Sequence, residues 1–220
     1  MKVSMTEQKS ASELFQVAYE HRYTWDNNFP GYSADVEIKQ GDEVYSGSVR
    51  INGDLTVEVT GFTDEKVQES VYNQMRDIVT HRKRSTFAQA HGKNQFSLGE
   101  TDSTGAVEIV VKGDAMGSNY KVRGKEISQV SRVMGPMAFT INTNSSLDTG
   151  EGYISSGYNA IFRNAKTGDL KGKREFQDTF EKFGDYYVMT HQIVEAIEGE
   201  QRTTTEFTFS NIRLLAVAVV

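Results

Sequence analysis

From Thr86 onward the chain alternates apolar and polar residues in short runs that are repeatedly cut by turn-forming groups. The cuts fall at Gly99–Gly105, Gly113–Gly117, Gly135-Pro136, Asp148–Gly152, Thr167-Gly168-Asp169, Gly184-Asp185 and Glu198-Gly199-Glu200. Alternation places every second side chain on one face of a strand, and closely spaced turns join successive strands antiparallel. Parallel pairing would need crossover helices, and none is legible in this stretch. The expectation is a meander of about eight strands, which fixes most of the mass of the molecule as one sheet.

The N-terminal third supplies the helices. Ser10 and Glu13 have the spacing of a capping box, in which each side chain satisfies the other's backbone donor. The helix that follows carries Leu14, Phe15, Ala18 and Tyr19 on one stripe and is expected to run to about Tyr23, with Asn27, Asn28 and Pro30 ending it. Three strand-like segments come next, marked by Ala34/Val36/Ile38, Tyr45/Val49/Ile51 and Leu55/Val57/Val59. Asn52-Gly53 between the last two predicts a tight hairpin, since a type I′ turn needs positive φ at both central residues. A second helix is capped by Thr63 or Asp64 and carries Val67, Val71, Met75, Ile78 and Arg82 on one face. His81, Arg82, Lys83 and Arg84 gather at its C-terminus, where the helix dipole favours positive charge. The fold class is therefore α+β. A large curved antiparallel sheet of about ten or more strands forms an open half-barrel, with two helices packed on its concave side. Residues 1–220 are expected to form one domain, with a disordered tail expected at 1–9.

Composition then narrows the function. There is no Cys, which excludes disulfides, thiol catalysis and Cys-ligated metals. The four His residues, at 21, 81, 91 and 191, never approach one another at metal-ligand spacing. No phosphate-binding glycine loop, nucleophile elbow or zinc-protease helix occurs. No cofactor or metal is expected, and binding is favoured over catalysis. The N-terminus lacks the apolar core of a secretory signal. The longest apolar run, Leu214–Val220, spans a strand rather than a bilayer. The expectation from these features is a cytoplasmic protein with no transmembrane segment.

The net charge of −6 is local. Residues 35–69 hold nine acids and three bases, a front that repels nucleic acid and suits a basic protein partner. Residues 163–174 lean the other way, with Arg163, Lys166, Lys171, Lys173 and Arg174 against Asp169. The bland expectation for them is a solvated strand face.

One constellation follows from hairpin geometry. If Gly184-Asp185 is a two-residue turn, Asp178 faces His191, Arg174 faces Glu195, Phe176 faces Ile193 and Phe180 faces Met189. Lys171, Lys173, Glu175, Gln177 and Thr179 would then face solvent. Two opposite-charge pairs among Phe, Met and Ile would make a polar spot in an apolar pocket, the usual way to orient one ligand. Mutual neutralisation at an open sheet edge explains the same pairs without a ligand, and a shift by one residue would reverse the faces. The candidate ligand-binding residues are Trp25, Arg174, Phe176, Asp178, Phe180, Met189, His191 and Glu195. Trp25 also suits a core plug joining the first helix to the sheet. Near the C-terminus, Phe207 and Phe209 have one parity and Ile212 and Leu214 the other, so a bulge at Ser210-Asn211 is expected.

Several segments, Tyr23–Tyr32, Lys166–Leu170, Tyr186–Thr190 and Glu206–Leu214, resemble an uncharacterised family found in cyanobacteria and plant plastids. The helix–strands–helix–sheet order and the closing Phe207–Leu214 strand resemble the outer-membrane lipoprotein carrier, an open half-barrel whose helices lid an apolar concavity. That resemblance implies a cleft for acyl chains. The leading expectation is a non-enzymatic binding protein for an apolar or amphipathic small molecule of the lipid, isoprenoid or pigment class. An interaction or assembly module using the acidic face is the first alternative, and an acid–base enzyme built on Asp178 and His191 the second.

Overall fold

The computed structural model describes residues 10–113 and 118–216. In chain order these form α1 (Ala11–Glu20), β1 (Gly31–Gln40), β2 (Glu43–Asn52), β3 (Val57–Thr60), α2 (Glu65–Arg82) and α3 (Phe87–His91). Next come β4 (Gln95–Thr101), β5 (Val107–Lys112), β6 (Asn119–Arg123), β7 (Glu126–Met134), β8 (Met137–Asp148) and β9 (Tyr153–Asn164). The last strands are β10 (Leu170–Phe183), β11 (Tyr186–Glu198) and β12 (Gln201–Leu214). One 12-stranded sheet holds them in the order β3-β2-β1-β12-β11-β10-β9-β8-β7-β6-β5-β4. The strands β4 to β12 form the expected meander, and the β1–β3 hairpins extend it through antiparallel pairing of β1 with β12. The sheet stays open, with β3 and β4 as its edges.

Alternation selects one helix-bearing face. On β1 it buries Tyr32, Ala34, Val36 and Ile38, and on β12 Phe207 and Phe209, which lie opposite Ile38 and Val36. The expected bulge is present: the β1–β12 register shifts between Ser33 and Asp35, and Asn211 takes φ 52°. β12 ends at Leu214, and the rest of the apolar run from Val217, like the expected tail at 1–9, lies outside the described residues.

The capping box of α1 forms, with Ser10 Oγ accepting from the Glu13 amide at 3.3 Å and Glu13 Oε2 accepting from the Ser10 amide at 2.7 Å. The helix stops at Glu20, short of Tyr23, with His21 as its C-cap. Asp64 caps α2 by accepting from the Lys66 and Val67 amides, and Val71, Met75 and Ile78 are buried as their spacing predicts. The five-residue helix α3 was not expected; Thr86 and Gln89 form its capping box, but it is too short to display an apolar stripe.

The Asn52-Gly53 turn is corrected. Strand pairing resumes at Ile51 opposite Val57, and the left-handed residue is Leu55, at φ 68°. Asp54 Oδ1 accepts from the Thr56 amide at 3.0 Å and the Thr56 hydroxyl at 2.6 Å, which holds a longer loop in place of the two-residue turn.

Candidate functional site

Two hydrophobic clusters lie on the helix-bearing face. In one, α2 residues Val71, Met75 and Ile78 pack with Tyr32, Val36, Ile38, Phe207 and Phe209. In the other, α1 and α3 residues Phe15, Ala18, Tyr19 and Phe87 pack on Ile109, Val111, Tyr120 and Val122. Between them run β8, β9 and β10. On the same face there, Phe139 lies opposite Phe162, Ile141 opposite Ala160, and Tyr158 opposite Phe176. Phe139, Ile141, Tyr158, Phe162 and Phe176 are half-buried and belong to neither cluster. Tyr158 and Phe176 stack at 4.5 Å, and the Phe139 and Phe162 rings stand 6.4 Å apart. The result is an apolar trough floored by the sheet.

A polar group closes the trough toward the C-terminal end of α2. Asp178, two residues along β10 from Phe176, accepts from Gln192 Nε2 at 2.8 Å and from the Tyr158 hydroxyl. Burial pushes the Asp178 carboxyl up to about 6, against the lowering effect of those donors and of Arg82. Arg82, at the end of the α2 stripe, places its guanidinium 5.1 Å over the Phe180 ring. Burial brings Arg82 down to about 10, with the Asp178 charge opposing, so it remains cationic at neutral pH. Burial and the Asp178 charge raise the Tyr158 hydroxyl, which stays protonated and able to donate. Gln192 is 0% exposed and its Oε1 has no hydrogen-bond partner among the described residues. The set offers a cation, an ionisable acceptor, a phenol and an amide at one end of an apolar floor. It can orient a molecule with one polar end.

The structure brings together only part of the expected site. Gly184-Asp185 is the two-residue turn, with Phe183 opposite Tyr186 and Phe180 opposite Met189 as expected. A bulge then shifts the register between Thr179 and Phe180, so Asp178 faces Gln192, Phe176 faces Val194 and Arg174 faces Ala196. His191 and Glu195 move to the opposite face, because one extra residue reverses every later side chain. There His191 Nε2 meets Glu206 Oε1 at 2.7 Å, and Glu195 meets Arg202 at 3.4 Å. The Asp178–His191 pair and the Arg174–Glu195 pair do not form, and the acid–base enzyme loses its geometry. Lys173 and Glu175 pair with each other, half-buried on that outer face.

Phe180 and Met189 pack into the α2 cluster rather than lining the trough. Trp25 is a core plug: its indole stacks on Phe29 at 4.1 Å and donates to the Tyr187 carbonyl at 3.1 Å. Arg174 is exposed, with its guanidinium 5.6 Å over Phe162. Phe176 and Asp178 remain in the trough. Sequence reasoning missed Tyr158, Gln192, Phe139 and Phe162, and it counted Arg82 only in the α2 stripe and in the basic cluster at the helix end. A lone arginine on the apolar face of a helix was the available signal.

Two cavities lie elsewhere and differ in character from the trough. One of about 580 Å³ lies by the C-terminal end of α1, and its walls include Arg22, Asp26, Arg84, Glu151 and Asp185. Another of about 490 Å³ lies between edge strand β3 and α2, with Val57, Val59, Glu65, Glu69 and Tyr72 in its walls. Among the described residues no group of His, Asp and Glu could hold a metal ion, and no helix is long and apolar enough to cross a membrane.

The family described as a protein of unknown function, DUF3386, matches residues 6–215. No curated protein sequence matches significantly. Among solved structures the chain is similar to a provisional outer membrane lipoprotein-sorting protein domain from Vibrio parahaemolyticus. That match has 10% identity and a TM-score of 0.35, over 93% of this chain and 92% of the other. A DUF1329 family protein from Desulfovibrio piger follows at 11% identity and a TM-score of 0.27, over 96% and 92%. The MucA/MucB complex of Pseudomonas aeruginosa gives 9% identity and a TM-score of 0.24, over 94% and 99%. At such scores the likenesses transfer no function.

Proposed function

We propose that this chain, which belongs to the DUF3386 family, binds an amphipathic small molecule in the trough between its two helix-covered clusters. The hydrocarbon part lies on Phe139, Ile141, Phe162 and Phe176, and the polar end meets Arg82, Asp178, Tyr158 and Gln192. The observation that carries this reading is the half-buried state of those apolar side chains on a face whose flanks are fully packed. Apolar surface left bare beside convergent polar groups is the common form of a ligand site. The lipid, isoprenoid and pigment classes all fit such a floor.

The test is gentle purification followed by organic extraction and mass spectrometry, with displacement of a fluorescent fatty acid as a second readout. A co-purifying amphiphile or saturable displacement supports the reading. A clean extract together with no fatty-acid binding overturns it.

The groove beside β3 favours one other reading, a docking face for a basic protein segment. It combines the free edge of the sheet with Glu65 and Glu69. Pull-down at low and high salt separates the two, because an electrostatic partner is lost as salt rises.

A further inference from the structure

Among the described residues, four of the seven exposed large hydrophobic side chains sit at one end of the sheet: Met134 at 63% exposure, Leu170 at 59%, Val133 at 56% and Met137 at 38%. They occupy two adjacent hairpin tips. Met134 pairs with Met137 across Gly135-Pro136, Met137 pairs with Asn164, and the Ala165 amide donates to the Pro136 carbonyl at 2.8 Å. That last bond ties the β7–β8 tip to the β9–β10 tip. The same two tips carry Arg132, Arg163, Lys166 and Lys171, all exposed, and Arg174 follows farther along β10 over the Phe162 ring. The basic stretch flagged in the sequence is therefore no solvated strand face alone; it surrounds bare methionine and leucine.

The acids nearby are few. Asp169 accepts from the Thr167 hydroxyl at 2.6 Å, and at the same end Glu198 and Glu200 lie on the β11–β12 turn and Asp42 and Glu43 on the more distant β1–β2 turn. The acidic segment 35–69 sits mainly on β1–β3 and the start of α2, toward the β3 edge of the sheet, while the basic tips belong to its interior strands. The charge thus changes sign along the sheet, from basic tips on β7–β10 to the acidic strands β1–β3.

We infer that this end of the sheet docks on an anionic lipid bilayer, with Met134, Met137, Val133 and Leu170 entering the interface and the surrounding Lys and Arg meeting lipid head groups. Flexible apolar side chains ringed by basic residues match the two needs of interfacial binding: apolar burial and attraction to negative charge. The acidic edge is repelled by the same surface, which fixes the orientation. In that pose the rim leads inward, since Met137 and Phe139 share one face of β8 and Phe139 begins the trough floor. The docking stands independently of what fills the trough.

Sedimentation with vesicles of neutral phosphatidylcholine, alone or mixed with phosphatidylglycerol, tests the inference on the full chain. Binding is expected only to the mixed vesicles at low salt and should fall steeply as salt rises. Lys166→Gln with Lys171→Gln should weaken it about 25-fold, at about fivefold per charge. Met134→Ser with Leu170→Ser should weaken it by a similar factor while fatty-acid displacement is retained. Failure of the wild-type chain to bind mixed vesicles overturns the inference. So does equal binding to neutral vesicles, or binding untouched by either pair of substitutions. Retention on an immobilised poly-glutamate peptide without vesicle binding overturns it in favour of an acidic protein partner. Loss of fatty-acid displacement with vesicle binding intact refutes the trough alone.

Discussion

Phe15 and Phe176 lie above and within the same face of one sheet, yet their surroundings differ. Phe15 is fully buried, with the rings of Tyr19, Phe87, His91, Phe96 and Tyr120 between 4.3 and 6.3 Å away. Phe176 is half-buried and stacks on Tyr158 alone. Both are apolar aromatics that alternation or helical spacing turns toward the concave side. What separates them is cover. α1 and α3 close over the first, while neither core cluster reaches the second. Apolar surface that the chain covers itself supports the fold, and the surface it leaves bare is available to something else.

The sharpest way to break this comparison is to delete both rings. Phe15→Ala should lower unfolding free energy by about 3–5 kcal/mol, the range for a large side chain removed from a packed core. Chemical denaturation at neutral pH measures it. A loss below about 1 kcal/mol would mean that the α1 cluster is no better packed than the trough.

Acid should separate the two regions next. His91 lies in the aromatic cluster, and burial, with Arg22 and Arg132 nearby, lowers its pKa to about 4. The unfolded chain then binds a proton that the native state refuses between about 6.5 and 4. Stability is intact above the upper limit and falls as pH drops through that window. The loss should be roughly 2 kcal/mol, and His91→Phe should remove it from the denaturation-versus-pH curve. Asp178 in the trough has the opposite sign, since its native pKa is raised to about 6. Its charge opposes folding above that value and ceases to do so as pH falls toward 3.8. Asp178→Asn should therefore stabilise the protein by about 1 kcal/mol at pH 7.5, with the gain vanishing near pH 4. A destabilisation at pH 7.5 would show that the Arg82 charge needs the carboxylate.

The difference in cover also explains what the sequence disclosed. The capping of α1 and α2, the meander and the bulge at Asn211 were legible because each rests on local chemistry: a side-chain cap, a period of two, a parity conflict. The trough depends on register between strands. Asp178 and Phe176 were found because the Gly184 turn, at φ 56°, is a local signal. His191 and Glu195 were misplaced because the bulge between Thr179 and Phe180 has no such marker. Tyr158 and Phe162 reach the site through β9–β10 pairing, and the connection at 165–169 is too long to fix that register from local sequence. Arg82 needed the packing of α2 to show that the end of its stripe points at Asp178.

The smallest expected change in stability comes from the trough floor itself. Phe176→Ala removes one stacked partner and some half-buried area, so unfolding free energy should fall by less than about 1 kcal/mol, below the usual loss for a fully buried phenylalanine. The same substitution should weaken displacement of a fluorescent fatty acid at least tenfold, about 1.4 kcal/mol of binding, because the lost ring is part of the surface a hydrocarbon chain would cover. Phe15→Ala, assayed below its melting transition, should leave that displacement within about twofold, a difference of about 0.4 kcal/mol. The crossed pattern is the decisive outcome. If both substitutions reduced stability and binding in proportion, the bare stretch would be a poorly packed extension of the core, and cover by the helices would cease to distinguish folding surface from binding surface.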